Sequence, residues 1–215
     1  MVMANDKFIA YSGMEETLIG FMLGRKRATE VAHLVWKHFL QKGDTVVDAT
    51  CGNGHDTLAL LNMVADVSGR ARVYGMDVQE AALKKTFALL DISVGPHEKK
   101  LVRLFNICHS RMGEVVPKDA PLRVVVFNLG YLPGGDKVIT TKPETTVEAL
   151  NVAKEVLIPG GLISSAVYVG HPGGREELLT IEAFASKLSP EDWCCCKLQV
   201  MNRPLAPVLI FLFKR

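Results

Sequence analysis

Short apolar runs rich in β-branched residues alternate with helical patterns along most of the chain, and this alternation limits the fold more than any other feature. Nearly continuous apolar strands are typical of a parallel sheet that is buried on both faces. The sequence therefore predicts an α/β fold with helices on both faces of the sheet. The runs predicted to form strands are Thr45–Thr50, Arg72–Asp77, Leu101–Phe105, Arg123–Asn128, Leu162–Val169, Cys194–Met201 and Val208–Phe213.

Two segments carry apolar residues at the spacing of a helix. One spans Gln79–Leu90, and the other covers residues 28–42, with Gly43 as the residue that ends it. A third helix is predicted to begin at a capping box, in which Thr141 is the N-cap and Glu144 lies three residues further on. Helices between consecutive strands are what parallel pairing requires.

The end of the chain breaks this pattern. Only the six residues NRPLAP separate the last two predicted strands, too few for a crossover helix, so these strands should form an antiparallel hairpin. A parallel sheet that ends in such a hairpin is typical of Rossmann-like methyltransferases, whereas dinucleotide dehydrogenases usually lack the hairpin. We therefore predict a class I methyltransferase fold, with a seven-stranded, mostly parallel sheet, as one domain over residues 1–215.

The composition is that of an ordinary soluble globular protein, with 48% apolar and 22% charged residues. A net charge of +2 neither requires nor excludes a nucleic-acid partner. No apolar run reaches the roughly 18 residues that span a membrane, so we predict no membrane partner. The five cysteines include no C-x-x-C pair, which predicts buried free thiols in a reducing compartment and no metal site.

The first residues, MVMANDKF, resemble neither a signal peptide nor a transit peptide. They predict a cytoplasmic protein. A plastid or mitochondrial location is the alternative if a transit peptide was removed ahead of this start.

A glycine turn follows the first predicted strand in the stretch VVDATCGNGHDT. Gly52 and Gly54 would let the backbone approach a ligand closely at the carboxyl end of that strand. The third small residue of a dinucleotide fingerprint is replaced by Thr57, and Asp56 adds a negative charge that would repel a pyrophosphate. Asp48 suits a ligand with a cationic amino-acid end. The pattern therefore favours S-adenosylmethionine as cofactor.

The next strand ends provide further candidates. Asp77 is placed to accept the ribose hydroxyls, although it could instead cap the helix that begins near Gln79. Asn106 or His109 could reach the adenine. The predicted cofactor-binding residues are Asp48, Thr50, Gly52, Asn53, Gly54, His55, Asp56, Thr57, Asp77, Val78, Gln79, Asn106, His109, Asn128, Leu129 and Gly130.

The fourth strand stops at polar and turn-forming residues in FNLGYLPGGDK. Methyltransferases that act on amino groups of nucleic acids carry a [D/N/S]-P-P-[F/Y/W] motif at this place, and Asn128, Tyr131 and Pro133 repeat its residue types in an altered order. This pattern predicts an active-site rim that holds an amine. The alternative is a plain turn at Gly130 and Gly134.

Four motifs, DATCGNGHDT, FNLGYLPGGDK, TKPETT and YVGHPGG, resemble those of the MnmM-type tRNA methyltransferases, formerly labelled rRNA methylases. The resemblance runs from about His33 to the end of the chain. It implies S-adenosylmethionine-dependent methylation of 5-aminomethyl-(2-thio)uridine at the tRNA wobble position, giving the 5-methylaminomethyl form. The chain departs from the family pattern at Cys51, where alanine is usual, and in the tail QVMNRPLAP.

The predicted reaction is attack of a primary amine on the sulfonium methyl group. Asn128 and the Leu129 carbonyl would accept the amine's N–H groups, Tyr131 would stack on the uracil ring, and the proton would pass to Asp136 or His171. The cluster Arg25–Arg27 would contact phosphates. The predicted substrate-binding residues are His33, Tyr131, Pro133, Gly135, Lys137, Lys142, Arg175 and Asn202.

The predicted partners are a tRNA anticodon loop and a second copy of the chain in a homodimer. Two other functions fit the same cofactor site: methylation of a small-molecule amine or of rRNA, and binding without catalysis.

Overall fold

The computed structural model describes the backbone of residues 5–215, and the side chains of residue 13 and of residues 15–215. One seven-stranded sheet has the order β3-β2-β1-β4-β5-β7-β6. Its strands are β1 Thr45–Asp48, β2 Arg72–Met76, β3 Val102–Phe105, β4 Leu122–Leu129, β5 Leu157–Val167, β6 Trp193–Leu198 and β7 Val208–Lys214. Strands β1 to β5 are parallel, and β7 pairs antiparallel with both β5 and β6. The predicted sheet and terminal hairpin are confirmed.

The winding of the sheet reverses at its centre. The chain runs outward from β1 to β3 and then returns to place β4 against the other side of β1. A crevice therefore opens at the carboxyl ends of β1 and β4, the place where open α/β sheets bind their ligands.

Seven α-helices are found in the described residues, with a 3₁₀ helix at His109–Glu114. Helix α2 ends at Phe39, not at residue 42, because Leu40 has an extended backbone, and Gly43 lies in the turn beyond it with a φ of +92°. Helix α1 was not predicted. The helices are α1 Asn5–Met22, α2 Ala28–Phe39, α3 His55–Val64, α4 Glu80–Ser93, α5 Pro96–Lys99, α6 Pro143–Val156 and α7 Gly174–Ala185.

The sheet separates two apolar layers. Along β4, Val124 and Val126 pack with residues of α2 and α3, whereas Val125 and Phe127 pack with residues of α6 and α7. Because side chains alternate between the faces of a strand, Asn128 belongs to the α2 and α3 face. Its amide is thereby directed toward the start of α3.

The predicted capping box at Thr141 is wrong. Helix α6 begins at Pro143 with Lys142 as its N-cap, since proline is favoured in the first helical position. The Thr141 hydroxyl instead donates to Glu177 Oε2 (2.7 Å), and the Thr146 hydroxyl donates to Oε1 of the same carboxylate (2.6 Å). These bonds join α6 to α7.

The prediction of buried thiols holds only in part. All five cysteines lie in the described part of the chain and are free, and Cys51 is buried. The three consecutive cysteines Cys194–Cys196 are exposed because β6 is the edge strand of the sheet.

Candidate active site

A cavity of about 440 Å³ lies at the carboxyl ends of the central strands. The loops after β1, β2 and β3 form one side of it, and the end of β4 with its following loop forms the other. Its lining residues are Ala49, Thr50, Gly52, Asp77, Val78, Gln79, Ile107, Cys108, His109, Asn128, Gly130, Tyr131, Leu132, Pro133, Val138, Ile139, Thr140, Thr141, Lys142 and Thr145.

The loop between β1 and α3 has a backbone that requires glycine. Gly54 has a φ of +86°, and a Cβ atom there would lie 2.8 Å from Thr86 Cα, so no larger residue fits. The Gly52 N–H donates to Asp77 Oδ2 (3.0 Å) and ties this loop to the end of β2. Gly52 thus forms part of one wall of the cavity, and Gly54, the N-cap of α3, fixes the turn that leads into that helix.

Asp48 lies behind this wall and does not line the cavity, since it is only 1% exposed. Its carboxylate accepts the Thr57 hydroxyl (2.6 Å) and the Thr50 N–H (3.2 Å). Burial, and then the neighbouring Asp56, raise the pKa of Asp48 to about 7. The structure gives Asp48 and Thr57 the role of fixing the glycine loop, and a direct cofactor contact by either stays a prediction.

Asp77 lines the cavity and is partly buried, which raises its pKa. Its Oδ1 accepts the Gln79 N–H (2.9 Å), but the N-cap of α4 is Gln79 itself, so the capping alternative is wrong. The Val78 N–H also faces this carboxylate, so backbone donors take three of its roughly four acceptor positions. Asp77 can therefore still accept a hydroxyl group from a bound ribose.

The two candidates after β3 have different places. Asn106 does not line the cavity; its amide donates to the carbonyls of Asp77 (2.9 Å) and Val78 (3.0 Å) and so holds the end of β2. His109 lines the cavity, with Nε2 3.2 Å from the Thr145 hydroxyl. Burial lowers the pKa of His109 to about 4, so the ring is neutral at physiological pH and carries one donor and one acceptor.

Asn128 occupies the end of β4, where its backbone N–H donates to the Thr50 hydroxyl (2.7 Å). Its side-chain Nδ2 donates to Asp56 Oδ2, and Asp56 Oδ1 lies 2.5 Å from His33 Nε2. Asn128 Oδ1 is buried and has no hydrogen-bond partner among the described residues. His33 of α2, Asp56 of α3 and Asn128 of β4, which were predicted separately, therefore form one hydrogen-bond network.

The loop after β4 folds back as a short hairpin over the cavity. An isolated bridge joins Tyr131 to Thr140, and the Lys137 ammonium lies 5.6 Å from the centre of the Tyr131 ring. Asp136 points away from the cavity lining; it is exposed and accepts the Val138 N–H (2.9 Å). The structure thus brings Tyr131 to the cavity and leaves Asp136 in a turn.

His171 also lies beside Tyr131; the two rings are edge to face, with their centres 6.0 Å apart. Its Nδ1 is 2.8 Å from the Pro172 carbonyl, and its Nε2 is buried without a partner in the described part of the chain. The Leu129 carbonyl already accepts the Tyr168 N–H (3.0 Å) in the sheet, so it is a poorer acceptor for a substrate than was predicted.

Other predicted residues lie outside the cavity lining. Arg175 donates to the Pro204 carbonyl (3.4 Å), and Asn202 is exposed in the same β6–β7 loop. The other predicted residues that do not line the cavity are His33, Asn53, Gly54, His55, Asp56, Thr57, Leu129, Gly135, Lys137 and His171.

Sequence analysis missed Arg203 and Tyr168. The Arg203 guanidinium packs against Gly24, beside the basic cluster Arg25–Arg27. Tyr168 lies beside Gly130, and burial raises its pKa. Its place directly after β5 was a usable signal, because the same strand-end argument had identified Asp77 and Asn128.

Among the described residues, no group of three His, Cys, Asp or Glu side chains is arranged to hold a metal ion. No helix in residues 5–215 is both long enough and apolar enough to cross a membrane.

The described fold matches solved structures of methyltransferases. A "putative rRNA-methylase" from Clostridium thermocellum has a TM-score of 0.80 and 36% identity, over 88% of this chain and 98% of that one. A "putative methyltransferase" from Streptococcus mutans, solved in complex with SAH, has a TM-score of 0.75 and 31% identity, over 88% and 99%. The protein has a class I methyltransferase fold, and this prediction is confirmed.

Residues 73–214 match the family model described as "Putative rRNA methylase". A relative from Arabidopsis thaliana, a "tRNA (mnm(5)s(2)U34)-methyltransferase, chloroplastic", is 60% identical in an alignment of 205 residues that covers 94% of this chain and 75% of the relative. The chain belongs to this family of methyltransferases, and the family predicted from its motifs is confirmed.

Proposed function

We propose that this protein is an S-adenosylmethionine-dependent N-methyltransferase that converts 5-aminomethyl-(2-thio)uridine at the tRNA wobble position into its 5-methylaminomethyl form. The observation that carries the proposal is the unpartnered Oδ1 of Asn128, a buried acceptor at the end of β4 beside the cavity. An amine substrate supplies the N–H donor that this oxygen lacks. The name of the Arabidopsis relative supports the choice of nucleoside.

The cavity residues fit S-adenosylmethionine. The Asp77 carboxylate suits the ribose hydroxyls, and the apolar side chains of Val78 and Ile107 suit the faces of the adenine. His109 also lines this cavity, but its ring already faces the Thr145 hydroxyl and the Ala49 backbone, so we assign it to shaping the pocket. When bound, S-adenosylmethionine supplies a methyl group on a positively charged sulfur.

The substrate amine must be held in its neutral form. A free alkylamine resembles lysine, with a pKa of about 10, and is mostly protonated at neutral pH. Asn128 Oδ1 can accept one N–H of the neutral amine and so direct its lone pair toward the transferred methyl group. Positioning of this kind supplies a large part of the acceleration in bimolecular transfers.

After transfer, the new secondary amine carries one excess proton. His171 is better placed than Asp136 to receive it, because its unpartnered Nε2 lies next to Gly130 and Tyr131. Asp136 is exposed in a turn. We therefore assign the proton acceptor to His171 and the stacking of the uracil ring to Tyr131.

The tRNA phosphates are assigned to the surface formed by Arg25–Arg27, Arg175 and Arg203. The Arg203 side chain contacts Gly24, and the Arg175 side chain contacts the loop that carries Arg203, so these cations lie on one side of the active site. Single-stranded loops are bound by phosphate contacts combined with base stacking. The relative is chloroplastic, which supports the plastid alternative over a cytoplasmic location.

The proposal is tested by incubating the protein with labelled S-adenosylmethionine and tRNA that carries 5-aminomethyl-2-thiouridine. We expect the label in 5-methylaminomethyl-2-thiouridine after digestion and mass spectrometry of the nucleosides. Transfer to rRNA or to a free alkylamine, with none to this tRNA, would overturn the proposal in favour of the alternative substrates. A variant Asn128→Ala distinguishes enzymatic transfer from a contaminant.

A further inference from the structure

Asp56 is a buried carboxylate that does not line the cavity and has no lysine or arginine partner among the described side chains. It is 6% exposed and lies in the first turn of α3, where the helix dipole favours negative charge. Both of its oxygens are engaged, one by Asn128 Nδ2 and the other by His33 Nε2 at 2.5 Å. A role in binding the cofactor directly, as the sequence suggested, does not account for these two contacts.

The contact to Asn128 fixes which end of that amide faces Asp56. An ionised carboxylate only accepts hydrogen bonds, so it must face the NH₂ group of Asn128 and not its oxygen. The amide oxygen then points to the opposite side, where it is buried and has no partner among the described residues. Asp56 therefore determines the orientation of a group that is otherwise nearly symmetric.

This orientation decides what the substrate amine meets. With Oδ1 toward the amine, Asn128 accepts an N–H and leaves the nitrogen lone pair free to react. With the amide turned over, the NH₂ group would donate to that lone pair and block the attack. The two orientations differ in chemistry and hardly at all in shape.

Resting on the proposed function, we propose that Asp56 is a positioning residue that holds Asn128 with its carbonyl oxygen toward the substrate amine. His33 supports it by occupying the second carboxylate oxygen from α2. The network thus couples the two helices on one face of the sheet to the end of β4.

The first test is Asp56→Asn, which can donate as well as accept and so no longer specifies the Asn128 orientation. We expect kcat to fall by about 10- to 100-fold, the range for a misplaced reacting group, while KM for tRNA and the Kd of S-adenosylmethionine stay within about twofold. Asp66→Asn makes the same chemical change beyond the other end of α3, where the Asp66 carboxylate accepts the Ser68 hydroxyl, and should leave kcat unchanged. A wild-type kcat in Asp56→Asn would overturn the proposal.

The second test exchanges the two side chains. Asn128→Asp alone sets two carboxylates against each other, and we expect it to be more damaging than Asp56→Asn. Adding Asp56→Asn to it restores a donor–acceptor pair and again presents an oxygen to the amine, so the double variant should regain roughly tenfold of the lost kcat. If the kcat losses of the two single variants instead multiply in the double variant, Asp56 has a merely structural role and the proposal is overturned.

These outcomes are separable from those of the proposed function. If the wild-type protein transfers no methyl group to the modified tRNA, the proposed function fails before Asp56 is tested. If the wild type is active and the exchange gives no recovery, the inference about Asp56 fails alone. Binding of S-adenosylmethionine by each variant reports that it has folded.

Discussion

At the residue scale, the site depends on a few residues whose surroundings disfavour an ordinary ionisation state or an ordinary side chain. Asp48 is the clearest case, because burial raises its pKa to about 7 from the ordinary value of 3.8. The folded state therefore binds its proton more tightly than the unfolded state does. Between about pH 4 and about pH 7, this carboxyl group makes folding less favourable as the pH rises.

We expect Asp48→Asn, which cannot ionise, to escape this loss. The free energy of unfolding of the wild type should fall relative to that of Asp48→Asn as the pH is raised from about 5 to about 8. Urea unfolding of both proteins at the two pH values measures this difference in the free energy of unfolding. The contributions of other titrating groups are nearly the same in both proteins and largely cancel. A difference that is independent of pH would show that Asp48 has an ordinary pKa.

Gly54 is a second residue whose surroundings admit no substitute. Gly54→Ala places a Cβ atom 2.8 Å from Thr86 Cα at a φ of +86°, so we expect a loss of about 1–3 kcal/mol in the free energy of unfolding. Gly13→Ala is the control, since Gly13 is helical and no atom of the described residues lies within 4 Å of the added carbon. It should be neutral or slightly stabilising. Equal stability of the two variants would contradict the description of the glycine loop.

At the element scale, Glu177 joins α6 to α7 through two threonine hydroxyls. Thr146→Val keeps the shape of the side chain but leaves a buried carboxylate oxygen without its donor, and should cost about 1–3 kcal/mol. Thr180→Val is matched to it, because the Thr180 hydroxyl makes an exposed hydrogen bond to the Glu176 carbonyl of its own helix. We expect a much smaller change there. If thermal or urea unfolding shows a larger loss of stability in Thr180→Val than in Thr146→Val, Glu177 does not link the two helices.

The helices and strands differ in how well they could be predicted from the sequence alone. The strands were predictable because β1 and β4 are apolar on both faces, and strand-end reasoning found Asp77 and Asn128. Helix α1 was missed because its apolar residues do not share one face: Leu18, Ile19 and Met22 are exposed, whereas Phe21 is buried.

The contact between Asp56 and Asn128 could not be predicted, although both residues were identified. They are 72 positions apart in the sequence, and their meeting depends on the rotation of α3 over the sheet. The same holds for Arg203, whose contact with Gly24 joins the two ends of the chain. Sequence patterns locate strand ends, but not the rotation of a helix or the packing of distant loops.

At the scale of the whole molecule, tRNA binding is expected to rest on a few phosphate contacts, since the net charge is only +2. Arg203→Ala should weaken tRNA binding and reduce the slope of log K against log salt by about 0.7–1, the value for one lost phosphate contact. Arg70→Ala, in the loop between α3 and β2 at the opposite end of the strands, is the control and should change neither quantity. An unchanged slope for Arg203→Ala would show that Arg203 does not contact a tRNA phosphate.

The central claim is that Asn128 presents its amide oxygen to the substrate amine beside the bound cofactor. Single-turnover methyl transfer by Asn128→Ala, with tRNA carrying 5-aminomethyl-2-thiouridine, tests it most directly. We expect a rate at least about 100-fold below that of the wild type, with the Kd of S-adenosylmethionine changed by no more than about twofold. A wild-type rate of transfer in Asn128→Ala would contradict it.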